Sequence, residues 1–217
     1  MTNFNSTRRS CLGFAAAMML ATRAGAQGAK TVRIVALGDS LTAGYNLPGP
    51  AAFPAVLERE LKAKGLAISI ENAGVSGDTA SGGRNRLDWS VADGTDLVIV
   101  SLGANDALRG IDPKITELAL DEILTRLKAR RVRAILAGML APPNNGPDYG
   151  RAFNAIYQRL ADKHGVPLYP FFLDGVAGDP RLNLPDGIHP TAAGVQEIVR
   201  RMLPLVEAEV RRIAAGK

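Results

Sequence analysis

Asp96-Leu97-Val98-Ile99-Val100-Ser101-Leu102 is a nearly continuous apolar run that ends abruptly at Gly103-Ala104-Asn105-Asp106. A run of this kind suits a central strand covered on both faces, as in sheets flanked by helices. Upstream, Thr31 to Leu37 is β-branched and apolar and stops at Gly38, and Leu66 to Ile70 reads as another strand. Downstream, Val132 to Ala137 and the short Pro167 to Tyr169 complete the set. Between the strands the apolar period changes to that of helices. Phe53, Val56, Leu57 and Leu61 share one face before Gly65, and Leu120, Ile123, Leu124 and Leu127 share another. Phe153, Ile156, Tyr157 and Leu160 mark a helix ending near Gly165, and a last helix starts at about Thr191, with Val195, Ile198, Val199, Met202, Val206 and Val210 on one side. Alternation of strand and helix predicts an α/β fold, a mainly parallel sheet with helices on both faces. No repeat, low-complexity tract or linker interrupts it, so residues 27–217 are expected to form one domain.

The first 26 residues stand apart. Arg8 and Arg9 precede an apolar stretch from Cys11 to Leu20, and Ala24-Gly25-Ala26 is a small-x-small cleavage site before Gln27. That order describes a secretory signal, too short in its apolar part to span a bilayer. It predicts a periplasmic or secreted protein without a stable membrane anchor. Thr7-Arg8-Arg9-Ser10-Cys11-Leu12 also resembles the twin-arginine export pattern, although ordinary signals carry arginines too, so the route stays open. Loss of Arg8, Arg9 and Arg23 lowers the formal charge from +5 to +2, which gives no case for a nucleic-acid or anionic-membrane partner. Cys11, the only cysteine, leaves as well, so the mature chain has no disulfide and no cysteine nucleophile or ligand.

Ligands of open parallel sheets bind outside the carboxyl ends of the strands. Gly38-Asp39-Ser40, Asn72-Ala73-Gly74 and Gly103-Ala104-Asn105-Asp106 all fall there. Ser40, between a strand and a helix, is either a turn residue capping the helix or a nucleophile, and the second role needs a base. The chain has two histidines. His164 lies in a helix's last turn, where a solvated imidazole is favoured by the helix dipole. His189 sits in Asp186-Gly187-Ile188-His189-Pro190, where Pro190 disfavours helical geometry and Asp186 is close enough to orient the ring. Asp186 as a turn former and His189 as a helix-start residue is the plainer alternative. An oxyanion site needs preplaced N–H donors, for which the Ser40 and Gly74 amides and the Asn105 carboxamide are candidates.

Gly38-Asp39-Ser40-Leu41, Gly74, Gly103-Ala104-Asn105-Asp106 and Asp186-Gly187-Ile188-His189-Pro190 together resemble, in order, the four blocks of the SGNH (GDSL) hydrolase family. Ala36 to Tyr45, Ser76-Gly77-Asp78-Thr79 and Leu108-Arg109-Gly110-Ile111-Asp112-Pro113 are similar to its bacterial thioesterase I/arylesterase branch. The resemblance implies a flavodoxin-like three-layer α/β/α sandwich on a five-stranded sheet. It implies an esterase without cofactor or metal, acting on aryl esters, acyl thioesters and lysophospholipids. Carried over, Ser40 is the nucleophile, His189 the base and Asp186 its partner, with Ser40, Gly74 and Asn105 forming the oxyanion hole. Ala104 departs from the branch, where a second glycine is common. Leu108, Ile111 and Pro142, apolar residues expected beside the same edge, are candidates for the acyl groove, with loop packing as their plainer role.

Other chemistries fit poorly. Leu41-Thr42 stands where a phosphate-binding loop needs its lysine, and there is no Gly-x-Ser-x-Gly elbow or two-histidine helix motif. Two rivals remain: a carbohydrate acetylesterase on the same scaffold, and a binding protein whose catalytic set is vestigial.

Overall fold

The computed structural model describes residues 1–2 and 31–216. The export signal expected over residues 1–26 lies almost wholly outside the described residues. In chain order the elements are β1 (Val32–Gly38), α1 (Ser40–Ala43), α2 (Phe53–Ala63), β2 (Ile68–Gly74), α3 (Ala80–Asn85), α4 (Leu87–Ser90) and β3 (Leu97–Ser101). They continue with α5 (Ala104–Leu108), α6 (Pro113–Ala129), β4 (Arg133–Ala137), α7 (Pro147–His164), β5 (Leu168–Tyr169) and α8 (Ala192–Ala214). Short 3-10 turns precede α2 and α7.

The strands form one sheet in the order β2-β1-β3-β4-β5, and each pairing is parallel. That order is the doubly wound, flavodoxin-like one. Parallel neighbours require crossover helices, and these form two layers. One layer holds α2 and α8 packed together; the other holds α3, α6 and α7. β3, in the middle, has every residue buried, from Leu97 to Ser101, as its unbroken apolar run predicts. Its neighbours Ile34, Leu37 and Ile135 are buried with it.

Helix ends follow local chemistry. The Asp112 carboxylate accepts the Lys114 N–H and Pro113 occupies the first turn, so α6 begins seven residues before its first predicted apolar position, Leu120. Thr191 caps α8 by accepting the Gly194 N–H at 3.2 Å, where the sequence places the start. Gly165, in the left-handed conformation, ends α7.

Two expectations change. The second strand is not Leu66 to Ile70 but Ile68–Gly74, so Asn72-Ala73-Gly74 lies inside it rather than after it. β2 is an edge strand whose ladder to β1 carries Glu71 and Asn72 on exposed positions, so hydrophobicity does not mark its extent. His164 is not solvated: its Nε2 lies 2.6 Å from Asp121 Oδ1 across α6 and α7, and only 7% of its side chain is exposed. The neighbouring Lys163 joins the same carboxylate, making a tie between two helices of one layer.

Ile99 occupies the middle of this core, 1% exposed between β1 and β4. Ile99→Ala is expected to lower stability by about 2–5 kcal/mol, read as a lower denaturant midpoint.

Candidate active site

β1 stops at Gly38, and the Asp39 carboxylate accepts the Leu41 N–H at 3.0 Å, capping α1. This places Ser40 at the first position of a short helix on the carboxyl edge of the sheet, 8% exposed. The second component comes from the loop between β5 and α8. Gly187 turns there with φ +70°, and Asp186 Oδ1 accepts the N–H groups of Ile188 and His189, both at 2.9 Å. The Leu184 N–H donates to the His189 carbonyl at 2.7 Å, closing the loop on itself.

His189 Nδ1 lies 2.7 Å from Asp186 Oδ2, and His189 Nε2 lies 2.9 Å from Ser40 Oγ. An ionised carboxylate only accepts, so Nδ1 carries the hydrogen and the neutral ring's Nε2 accepts from the serine hydroxyl. Asp186 stays ionised: the N–H groups of His189 and Ile188 hold its carboxyl down at about 2, with the imidazole adding to the effect. The arrangement can move a proton from Ser40 to His189 and stabilise the cation formed.

Asn105, in the first turn of α5, directs its amide nitrogen to the Asp78 carbonyl at 2.9 Å and to Asp39 Oδ2 at 3.5 Å. The second distance is at the limit of a hydrogen bond, so one N–H is weakly engaged. Gly74 is placed differently from the sequence expectation. Its N–H donates to Asn72 Oδ1 at 3.0 Å, and a Cβ there would come within 2.3 Å of the Ala43 nitrogen. Gly74 therefore lets α1 lie on β2, and its amide is already engaged. Gly77, three residues on, has φ +83° and its N–H enters no hydrogen bond among the described residues. Its carbonyl accepts from Arg109 at 2.8 Å, and the adjoining Asp78 carbonyl is the one that takes Asn105. Ser76-Gly77-Asp78-Thr79 was visible in the sequence, but which of two nearby glycines has a free amide depends on where Asn72 points.

Behind these groups lies a set of buried polar ties. Arg86 donates to the Gly38 carbonyl and the Ala73 carbonyl, both at 2.8 Å, and to Asp78 Oδ2 at 2.6 Å, joining the ends of β1 and β2 to the Gly77 turn. Asp106 accepts the Ala80 N–H at 2.8 Å and the Thr116 hydroxyl at 2.9 Å. Burial raises the Asp106 carboxyl above its ordinary value. Burial also pushes the Asp39 carboxyl up to about 7, against the opposing Leu41 N–H.

A cavity of about 250 Å³ is lined by Leu41 and Ile188, the chain neighbours of Ser40 and His189, and by Leu108, Met139, Leu140 and Pro142 among others. It includes Leu108 and Pro142 but not Ile111. The Ile111 N–H donates to the Asp106 carbonyl and its own carbonyl accepts from the Tyr149 hydroxyl, both at 2.9 Å. Ala104 also lines the cavity. A second cavity, lined by Lys128, Arg133, His164 and Glu209, lies at the amino ends of β4 and β5, away from Ser40. Among the described residues no cluster of histidine, cysteine or acidic side chains is placed to hold a metal, and no helix is long and apolar enough to cross a membrane.

Residues 36–197 match the GDSL-like lipase/acylhydrolase family. The chain is 42% identical over 191 residues to thioesterase 1/protease 1/lysophospholipase L1 of Escherichia coli (strain K12), covering 88% of each. It is 37% identical over 159 residues to an arylesterase of Vibrio mimicus, covering 73% of this chain and 80% of that protein. The crystal structure of AlinE4, an SGNH-hydrolase family esterase, superposes with a TM-score of 0.70 at 44% identity, covering 83% of this chain and 97% of that one.

A group titrating near 7 when folded and near 3.8 when unfolded binds more protons in the folded state between those values. Its contribution is fully present below the unfolded value and is lost as pH rises through the folded one. Asp39→Asn is therefore expected to gain stability relative to the parent as pH rises from about 4 to about 8. Thermal melts across that range check it, and a constant difference between the two proteins would count against the buried ionisation.

Proposed function

The chain belongs to the GDSL-like lipase/acylhydrolase family, and on that premise we propose that it is an exported serine esterase working through an acyl-serine on Ser40. The observation that carries this reading is the line of contacts from Ser40 Oγ through His189 to Asp186, at 2.9 and 2.7 Å. Ser40 Oγ attacks the ester carbonyl as His189 Nε2 takes its proton, and the carbonyl oxygen becomes an oxyanion. Donors for that charge are the Ser40 N–H, the weakly engaged Asn105 amide and, in place of Gly74, the Gly77 N–H. Collapse breaks the bond to the alcohol or thiol, which leaves with the proton from His189. Water then attacks the acyl-serine, giving its proton to the same imidazole, and the acid departs as Ser40 regains its hydrogen.

The acyl chain is assigned to the cavity walled by Leu108, Leu140, Pro142 and Ile188. An apolar slot of that size suits an acyl chain longer than acetate. Aryl esters, acyl thioesters and lysophospholipids are the substrate classes proposed, in keeping with what the relatives from E. coli and V. mimicus are named for. The charged start, apolar middle and Ala24-Gly25-Ala26 of the first 26 residues support export to the periplasm or beyond.

Hydrolysis of p-nitrophenyl esters of increasing acyl length is the first test. Medium-chain esters are expected to be cleaved, and Ser40→Ala to abolish turnover; a Ser40→Ala enzyme with near-parental rates would falsify the assignment. Activity confined to acetate would favour a carbohydrate acetylesterase, and none on any ester a binding protein. In the same assay Asn105→Ala is expected to lower kcat by roughly 10²–10³. Leu108→Asp should move the preferred chain to shorter esters, and an unchanged length profile would remove the acyl chain from this cavity.

A further inference from the structure

Tyr45 follows α1 directly, and the mechanism above assigns it nothing. Gly44 adopts a left-handed conformation at the helix end, and the N–H groups of Gly44 and Tyr45 both donate to the Ser40 carbonyl at 3.1 Å. The tyrosine backbone is thereby pinned to the residue that carries the attacking hydroxyl. Its ring lies against the His189 imidazole, with centroids 4.3 Å apart and planes tilted by 33°. The residue remains 41% exposed, and its hydroxyl forms no hydrogen bond among the described residues.

The geometry of His189 shows what such a ring can contribute. Hydrogen bonds at Nδ1 and Nε2 fix the imidazole along the line joining the two nitrogens. They resist rocking about that line poorly, because such a motion leaves both nitrogens almost in place. Rocking tilts the Nε2 lone pair away from Ser40 Oγ all the same. An aromatic face packed against the imidazole at this tilt hinders the motion. The same face is the electron-rich side of the ring, which attracts the cation that His189 becomes.

We propose that Tyr45 is a positioning residue for ester hydrolysis, holding the His189 imidazole in line between Ser40 and Asp186 and stabilising its protonated form. The inference rests on the reading of Ser40, His189 and Asp186 given above. His189 gains a proton once in acylation, as the Ser40 oxygen bonds to carbon, and once in deacylation, as water does. It returns the proton each time, first to the leaving group and then to Ser40. Tyr45 takes part in neither bond change, so its effect belongs to turnover and not to substrate affinity. The tyrosine hydroxyl is dispensable in this role and the ring is not.

Tyr45→Phe and Tyr45→Leu, made in the full chain and assayed on a p-nitrophenyl ester beside Ser40→Ala, separate these roles. Tyr45→Leu is expected to lower kcat roughly ten-fold, with KM within about two-fold of the parent and an unchanged unfolding midpoint. Tyr45→Phe is expected to retain the parental kcat. Parental kcat in Tyr45→Leu would overturn the proposal, as would a raised KM at constant kcat, which would make Tyr45 a wall of the substrate site. A Phe variant as impaired as the Leu variant would overturn it too, because the hydroxyl would then be the working part. Activity surviving in Ser40→Ala would defeat the site reading itself, whereas an inactive Ser40→Ala beside a fully active Tyr45→Leu would defeat only the role of Tyr45.

Discussion

Ser40 reaches the edge of the sheet because β1 is cut off at Gly38 and the chain turns at once into α1, held by the Leu41 N–H on the Asp39 carboxylate. That carboxylate is buried and titrates near 7, so the turn carries an electrostatic cost. Neighbouring hydrogen bonds offset part of it, while the Thr42 and Ser101 hydroxyls of the same region are buried without a partner among the described residues. Asn105 faces the other carboxylate oxygen, Arg86 takes the Gly38 carbonyl, and Asp78 is bound to Arg86 in turn. The same residues therefore hold the serine turn, the Gly77 turn and Asn105 in fixed relation. Breaking one member of such a network leaves the others buried and unsatisfied, which is costlier than the sum of the bonds suggests.

Parallel pairing decides where this network can be built. All five strands run the same way, so their carboxyl ends lie along one edge and the loops leaving β1, β2 and β3 meet there. Each loop brings one kind of group: a hydroxyl from the first, a free amide from the second and a carboxamide from the third. The imidazole and its carboxylate arrive together from outside the sheet, on a loop that forms its own turn through Gly187. Local turns set the Asp186–His189 geometry, and tertiary packing sets only the approach to Ser40.

Much of this was legible in the sequence where the signal is local. β1, β3 and β4 are bounded by apolar runs within a residue or two, and the long helices by period and caps, as at Thr191. Ser40, Asp186, His189 and Asn105 stand out by residue type and position; the structure brings the first three into contact and sets Asn105 against Asp39, next to the serine. What escaped depends on partners distant in the chain. The α3 segment Ala80-Ser81-Gly82-Gly83-Arg84-Asn85 has no apolar period, and its first N–H is taken by Asp106 from beyond β3. Gly74 and Gly77 look interchangeable until the Asn72 side chain is seen on the first. His164 reads as a surface residue until Asp121 appears beside it. Ile111 reads as a groove residue, yet it is not among the residues that line the cavity.

Ser40 and His189, the proposed nucleophile and base, are separated by 149 residues, and His189 sits just ahead of Thr191, the cap of the 23-residue helix α8. A growing chain carries Ser40, its helix and all five strands before His189 is added. Until that loop is made the Ser40 hydroxyl lacks its imidazole partner, so on the proposed mechanism a chain cut short before His189 is expected to be silent toward esters. Reactivity on that mechanism therefore waits for the last loop of the fold, and the order of residues along the chain acts as the timer.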